Sequence, residues 1–127
     1  MNLREFILIK ENHLFPFLSI KEAVDKIRKV NKKIFVEVEV KNIDEFKEAL
    51  NLDVQRIMLD NFSIDEIKEA VKINDGKKEL EVSGGVSLDN VLEISKLGVQ
   101  YVSVGSLTHS AKGADFSLLI EEVKNEW

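Results

Sequence analysis

An α/β fold, a partial (β/α) barrel of about five parallel strands alternating with helices, is predicted by three observations. Short β-like runs centre near Ile7, Val36, Ile57, Leu80 and Val102, and the last four recur about every twenty-odd residues, the length of one strand, one helix and two short loops. Between the runs lie helical patterns with signed starts, so the repeating unit is strand–helix, which implies a mainly parallel sheet with right-handed crossovers. Four of the runs end in ionisable or glycine-rich residues, and in barrels of this kind the carboxyl ends of the strands carry the active site.

Taken in order, Phe6-Ile7-Leu8-Ile9 is a strand running into Lys10-Glu11-Asn12-His13, and the only proline, Pro16, falls in the loop that follows. Ser19 with Glu22 offers a side-chain oxygen for orphan N–H groups and a carboxylate three residues on, the signature of a helix start. Ala23, Val24, Ile27 and Val30 form the apolar stripe of that helix. The second strand, Phe35-Val36-Glu37-Val38-Glu39-Val40, alternates with period two, placing three valines on one face and two glutamates on the other. Asn42 with Glu45 opens the next helix. Ile57-Met58-Leu59 ends in Asp60-Asn61, and Ser63 with Glu66 starts a helix striped by Ile64, Ile67, Ala70 and Val71. Leu80-Glu81-Val82 ends in Ser83-Gly84-Gly85; Ser87 is expected to cap a fourth helix that Gly98 closes. Tyr101-Val102-Ser103-Val104 ends in Gly105, and Asp115 is expected to cap a last helix.

Length and composition bound the function. At 127 residues and 44% hydrophobic, residues 1–127 read as a single domain able to bury a core, with no linker or low-complexity tract. A formal charge of −5 without a basic tract argues against nucleic acid as a partner. The chain has no cysteine, which excludes disulfides and thiolate metal sites. No apolar run approaches the roughly 18 residues that span a bilayer, and the start lacks a signal-peptide pattern. No membrane partner is expected, and a cytoplasmic location is. Five strand–helix units fall short of an eight-stranded barrel, so the sheet is open, belongs to a larger barrel, or is completed by other chains. The partial, TIM-barrel-like arrangement is the favoured reading.

Several residues have chemistry to offer. If the valines of the second strand pack on helices, Glu37 and Glu39 face an interior where an unpaired carboxylate is costly, and a metal ion or a ring of lysines would compensate. The alternative is an edge strand whose glutamates are hydrated. Asp60-Asn61 alone is turn chemistry; with Glu39, Asp60 becomes a pair of hard oxygen donors for Mg²⁺ completed by substrate phosphate oxygens and water. Ser83-Gly84-Gly85 before a helix is a candidate phosphate cradle, with backbone N–H groups and the helix N-terminus favouring an anion. Gly105-Ser106 offers a second set of donors. Lys10 closes the first strand as a cation that can meet carboxylate or pyrophosphate oxygens, or as an ordinary exposed lysine. His13 and His109 have no partner at metal-ligand spacing, so zinc is not expected. No serine sits in a nucleophile elbow.

Read together, Leu8-Ile9-Lys10-Glu11-Asn12-His13, Val36-Glu37-Val38-Glu39-Val40, Met58-Leu59-Asp60-Asn61-Phe62, Val82-Ser83-Gly84-Gly85-Val86 and Val104-Gly105-Ser106-Leu107-Thr108-His109-Ser110 closely resemble quinolinate phosphoribosyltransferase, the carboxylating nicotinate-nucleotide pyrophosphorylase. The likeness runs over nearly the whole chain. It implies transfer of phosphoribosyl from phosphoribosyl pyrophosphate to quinolinate, with decarboxylation to nicotinate mononucleotide, in NAD biosynthesis. It also implies roles: Lys10 on quinolinate carboxylates or pyrophosphate; Glu39 and Asp60 on the ribose hydroxyls and Mg²⁺; Ser83, Gly84, Gly85 and Gly105 on the 5′-phosphate, with His109 nearby.

The resemblance further implies a homo-oligomer, since one subunit of the family's dimer helps complete the other's site. The family's N-terminal α/β domain and early barrel strands, with their Thr-Arg-Lys and Asn-His-Arg segments, have no counterpart in this sequence. The chain is therefore expected to be the C-terminal barrel portion, with little transferase activity by itself. Two other readings stay open: a relative with another acceptor, such as the similar molybdenum-transport-associated protein, and a non-catalytic phosphate-binding or assembly fragment.

Overall fold

The structure is a computed structural model and describes residues 6–10 and 19–104. Five strands, β1 (Phe6–Ile9), β2 (Phe35–Val40), β3 (Arg56–Asp60), β4 (Glu79–Ser83) and β5 (Tyr101–Val102), form one sheet in the order β1-β2-β3-β4-β5. Each neighbouring pair is parallel. Four helices connect them: α1 (Ile20–Val30), α2 (Ile43–Ala49), α3 (Ile64–Asn74) and α4 (Val91–Ser95). Spatial order equals chain order, as expected when each strand–helix unit adds beside the last, and the open sheet with β1 and β5 at its ends is the expected partial barrel. The final helix expected from Asp115, and the Pro16 loop, lie outside the described residues.

Strand alternation sorts the side chains into two faces. Val36, Val38, Val40, Ile57, Leu59, Leu80 and Val82 point to the helix side, where they bury against Val24 of α1, Phe46 and Ala49 of α2, Ile67 and Ala70 of α3 and Ile94 of α4. Removing that apolar area from water is the main stabilising contribution. The opposite face carries Glu37, Glu39, Arg56, Met58, Asp60, Glu79, Glu81 and Ser83, aligned by Glu37↔Arg56↔Glu79, Glu39↔Met58↔Glu81 and Asp60↔Ser83. Because β2 lies between β1 and β3, the hydrated-edge reading of its glutamates is excluded: Glu37 is buried and Glu39 nearly so.

The helix starts form as the sequence indicates. Ser63 Oγ accepts from Glu66 N while Glu66 Oε1 accepts from Ser63 N, a reciprocal box. Asn42 Oδ1 accepts from Glu45 N, but the Glu45 carboxylate reaches back one residue further, to Lys41 N. Ser19 Oγ accepts from Glu22 N. Ser87 caps the turn that leads into α4: its Oγ accepts from Asp89 N (3.2 Å) and its carbonyl from Val91 N (3.0 Å). The regular helix begins at Val91, with Asn90 at the cap position but making no side-chain cap bond; Asn90 Oδ1 accepts from Ser87 N and Asn90 Nδ2 donates to Gly85 O, which braces that turn. Gly98 does follow α4, with φ +102°.

One member of the α1 stripe is misplaced. Val30 is 90% exposed, and Arg28 is buried instead. Its guanidinium donates to Asp53 O (3.0 Å), Ile34 O (2.7 Å) and Gln55 Oε1 (2.9 Å), tying α1 to the amino ends of β2 and β3. Gln55 Oε1 also accepts from Val36 N, and Gln100 repeats the device two strands on by accepting from Leu80 N. Lys78 Nζ donates to Leu52 O and Val54 O nearby; partial burial pushes its pKa down, opposed by Asp53.

Arg28→Ala removes four hydrogen bonds, the three above and a longer one to Asn31 O (3.4 Å), and should lower unfolding stability by about 2–3 kcal/mol. Val30→Ser, at the exposed position of the same helix, should stay within about 0.5 kcal/mol of the parent. Urea denaturation of both variants checks the pair.

Candidate active site

The polar face of the sheet has two levels. The lower one centres on Arg56, the first residue of β3, buried to 6% exposure. Its Nε and Nη2 donate to Glu79 Oε1 (3.1 and 2.9 Å), and its Nη1 lies 3.8 Å from both Glu37 Oε1 and Glu81 Oε1. The guanidinium also stacks on Tyr101 (3.9 Å to the ring centre) and on Phe35 (4.8 Å). A planar, weakly hydrated cation suits this setting, where it serves carboxylates at its edge and aromatic rings on its faces. Among the described residues Arg56, which the sequence reading did not single out, supplies a compensating charge beside Glu37.

Two residues further along the strands, at their carboxyl ends, the second level assembles. Lys10 Nζ lies 3.7 Å from Glu39 Oε2; Lys41 Nζ lies 3.9 Å from Glu39 Oε1 and 3.8 Å from Asp60 Oδ2. The carboxylates are the sheltered partners, at 10% and 21% side-chain exposure, while both lysines are more than half exposed. Fixed acids flanked by mobile ammonium groups form a rim that can accept hydrogen bonds from hydroxyls and, at the same time, present cations to a polyanion. Among the described residues no group of three or more His, Cys, Asp or Glu side chains is placed to hold a metal ion.

The glycine turn is joined to the same rim. Asp60 aligns with Ser83, and Asn61 N donates to Ser83 O (2.9 Å). Gly84 has φ +75°, and a Cβ there would fall 2.5 Å from Asn61 Oδ1 and 3.0 Å from Asp60 Oδ1. Only glycine allows this approach. Asn61 itself takes a left-handed backbone, at φ 58°, a conformation asparagine tolerates better than most residues. The Asp-Asn pair thus provides both turn chemistry and a rim carboxylate.

Lys10, Glu39, Asp60, Ser83, Gly84 and Gly85 therefore come together; Gly105, His109 and His13 lie outside the described residues. The regular helix behind the glycine turn begins at Val91, six residues after Gly85, beyond a turn that Ser87 opens. Sequence reasoning missed Lys41 and Arg56. The signal was available: Lys41 extends the alternation of Glu37 and Glu39, and Arg56 shares parity with Asp60.

Comparison with known proteins bears on the family and the fold. The family model for the quinolinate phosphoribosyl transferase C-terminal domain matches residues 1–119. A probable nicotinate-nucleotide pyrophosphorylase [carboxylating] of Methanocaldococcus jannaschii is 44% identical over 126 residues, covering 91% of this chain and 44% of the relative. A mitochondrial quinolinate phosphoribosyltransferase [decarboxylating] of Nicotiana tabacum is 38% identical, over 95% of this chain and 40% of its own length. The crystal structure of nicotinate-nucleotide pyrophosphorylase from Ehrlichia chaffeensis superposes with a TM-score of 0.76 at 45% identity, covering 86% of this chain and 40% of that one. The Francisella tularensis structure gives 0.74 at 43%, over 84% and 38%. The chain thus spans less than half the length of these relatives.

Truncating Arg56 to Ala strands buried Glu37 and Glu81 without their shared cation and should cost about 3–5 kcal/mol; Arg56→Lys should recover only part, since an ammonium cannot reproduce the fork and the stacking. Gly84→Ala should lose at least about 1 kcal/mol from the left-handed backbone alone. Chemical denaturation of the three variants measures each loss.

Proposed function

The chain belongs to the quinolinate phosphoribosyl transferase C-terminal domain family, and from that premise we propose that its rim is the donor half of a phosphoribosyltransferase site. The reaction is transfer of the phosphoribosyl group from phosphoribosyl pyrophosphate to the ring nitrogen of quinolinate, with loss of pyrophosphate and carbon dioxide to give nicotinate mononucleotide for NAD synthesis. The observation that carries the reading is the convergence of Lys10, Glu39 and Asp60 with the Ser83-Gly84-Gly85 turn at one end of one sheet.

Each group has a role that fits its chemistry. Glu39 and Asp60, fixed and partly shielded, accept hydrogen bonds from the ribose hydroxyls, and their negative charge favours the cationic sugar that develops as the bond to pyrophosphate lengthens. Lys10 meets pyrophosphate or quinolinate carboxylate oxygens. Backbone N–H groups of Gly84 and Gly85, with Ser83, hold the 5′-phosphate, a role extended to Gly105 and His109. The acid pair also suits Mg²⁺: hard oxygens already share one cation, the Lys41 ammonium, and donor oxygens and water would complete six ligands. Bound there, the metal would neutralise charge on the departing pyrophosphate. No protein nucleophile is required.

The cations that the resemblance assigns to quinolinate have no counterpart in this sequence, so the proposal covers donor binding without appreciable turnover by these residues alone. Assembly as a homo-oligomer belongs to the same proposal, with β1 and β5 as the end strands of the sheet among the described residues. No helix among the described residues is long and apolar enough to cross a membrane. A cytoplasmic location belongs to this proposal too, although the tobacco relative is mitochondrial by name.

Calorimetric titration with phosphoribosyl pyrophosphate and Mg²⁺ tests the reading. The parent chain should bind, and Glu39→Gln or Asp60→Asn should weaken binding at least about tenfold, the effect of losing one charge-assisted contact. No binding by the parent, or equal binding by both variants, would overturn it. An assay of nicotinate mononucleotide formation should show little or no product from the chain alone.

A further inference from the structure

We infer that Lys41 is a positioning residue that holds the Glu39–Asp60 pair in place of a divalent cation and gives way when one arrives. The inference rests on the reading of those two acids as the metal-facing pair. Its own basis is geometric. Lys41 Nζ is the one cation within ion-pair distance of both carboxylates among the described residues, 3.9 Å from one and 3.8 Å from the other, whereas Lys10 reaches Glu39 alone. Without Lys41, the two acids on adjacent strands would keep, among the described residues, only the Lys10 ammonium beside Glu39.

The lysine is placed to exchange. Its backbone is held, since Lys41 N donates to Glu45 Oε1 (2.8 Å) immediately before the α2 cap at Asn42. Its side chain is 53% exposed, and both contacts exceed hydrogen-bond length, so the ion pairs are of the weak, solvent-screened kind. A metal ion sharing the same oxygens would repel an ammonium about 4 Å from them, and the backbone tether lets the side chain swing outward rather than leave. A flexible ammonium so released faces the side on which a metal-bound polyanion approaches. Lys41 thereby keeps the acids ordered before the donor binds and raises the threshold for metal binding in its absence.

The test is Mn²⁺ binding to the full chain, read by the electron paramagnetic resonance signal of free Mn²⁺. Lys41→Gln should tighten Mn²⁺ binding roughly threefold to tenfold, the effect of removing one screened positive charge about 4 Å from the ligands. Lys41→Arg should stay near the parent value, and Lys10→Gln should change it less than Lys41→Gln. A merely structural lysine predicts the opposite sign, with binding weakened as the rim loosens. Glu39→Gln in the Lys41→Gln background should abolish the gain, which places the ion at this pair, and circular dichroism should show the parent fold in each variant. Equal or weaker Mn²⁺ binding by Lys41→Gln overturns the inference while leaving the donor reading intact. Failure of every variant to bind Mn²⁺, even with inorganic pyrophosphate present, overturns both.

Discussion

Arg56 sits where a hydrophobic core would ordinarily be. One face of the sheet is sealed by helices in the usual way, but the other is lined with carboxylates from β2 and β4, and a charge buried there is tolerated only with a partner in good geometry. The Arg56 guanidinium lies beside Glu37, Glu79 and Glu81 at once, while Phe35 and Tyr101 lie against it. Residues from β2, β3, β4 and β5 are thereby referenced to one rigid, planar group. Because a one-residue slip would invert every side chain of a strand, that shared reference fixes the register of the whole interior face.

The rim inherits this precision. Glu39 follows Glu37 by two residues and Asp60 follows Arg56 by four, so the strand repeat alone carries the lower arrangement up to the carboxyl ends. What the lower level fixes, the upper level can use: acids on stiff strands, with lysines on the adjoining loops free to move. Sites supported in this way hold geometry better than sites built from loops alone. The agreement with homologous structures at TM-scores of 0.74 and 0.76 indicates that this scaffold is common to relatives more than twice as long.

Much of this was legible in the sequence, for physical reasons. Period-two alternation in Phe35–Val40 assigned its two faces correctly, and the Ser63/Glu66 pair announced a helix start because the box is a local device requiring only residues three apart. Local rules failed where partners were distant. Apolar periodicity assigned Val30 to the core, since nothing within α1 indicates that Arg28 will find carbonyl oxygens at Asp53 and Ile34. Ser87 opens its turn as expected, but regular helix is reached only at Val91, with Asn90 tied back to both Ser87 and Gly85 in between. The need for a cation beside Glu37 was readable, but its identity depended on which strand lay alongside.

The contact between Gly84 and Asn61 has a consequence for anyone recombining this protein with its relatives. A Cβ at position 84 would fall on the Asn61 side chain, so a bulkier residue in the β4 turn requires the side chains of the β3 turn to move. The two turns must therefore be exchanged as a unit: a chimera that takes the β3 turn from one parent and the β4 turn from another inherits half of a joint, even though the two segments lie more than twenty residues apart in the chain.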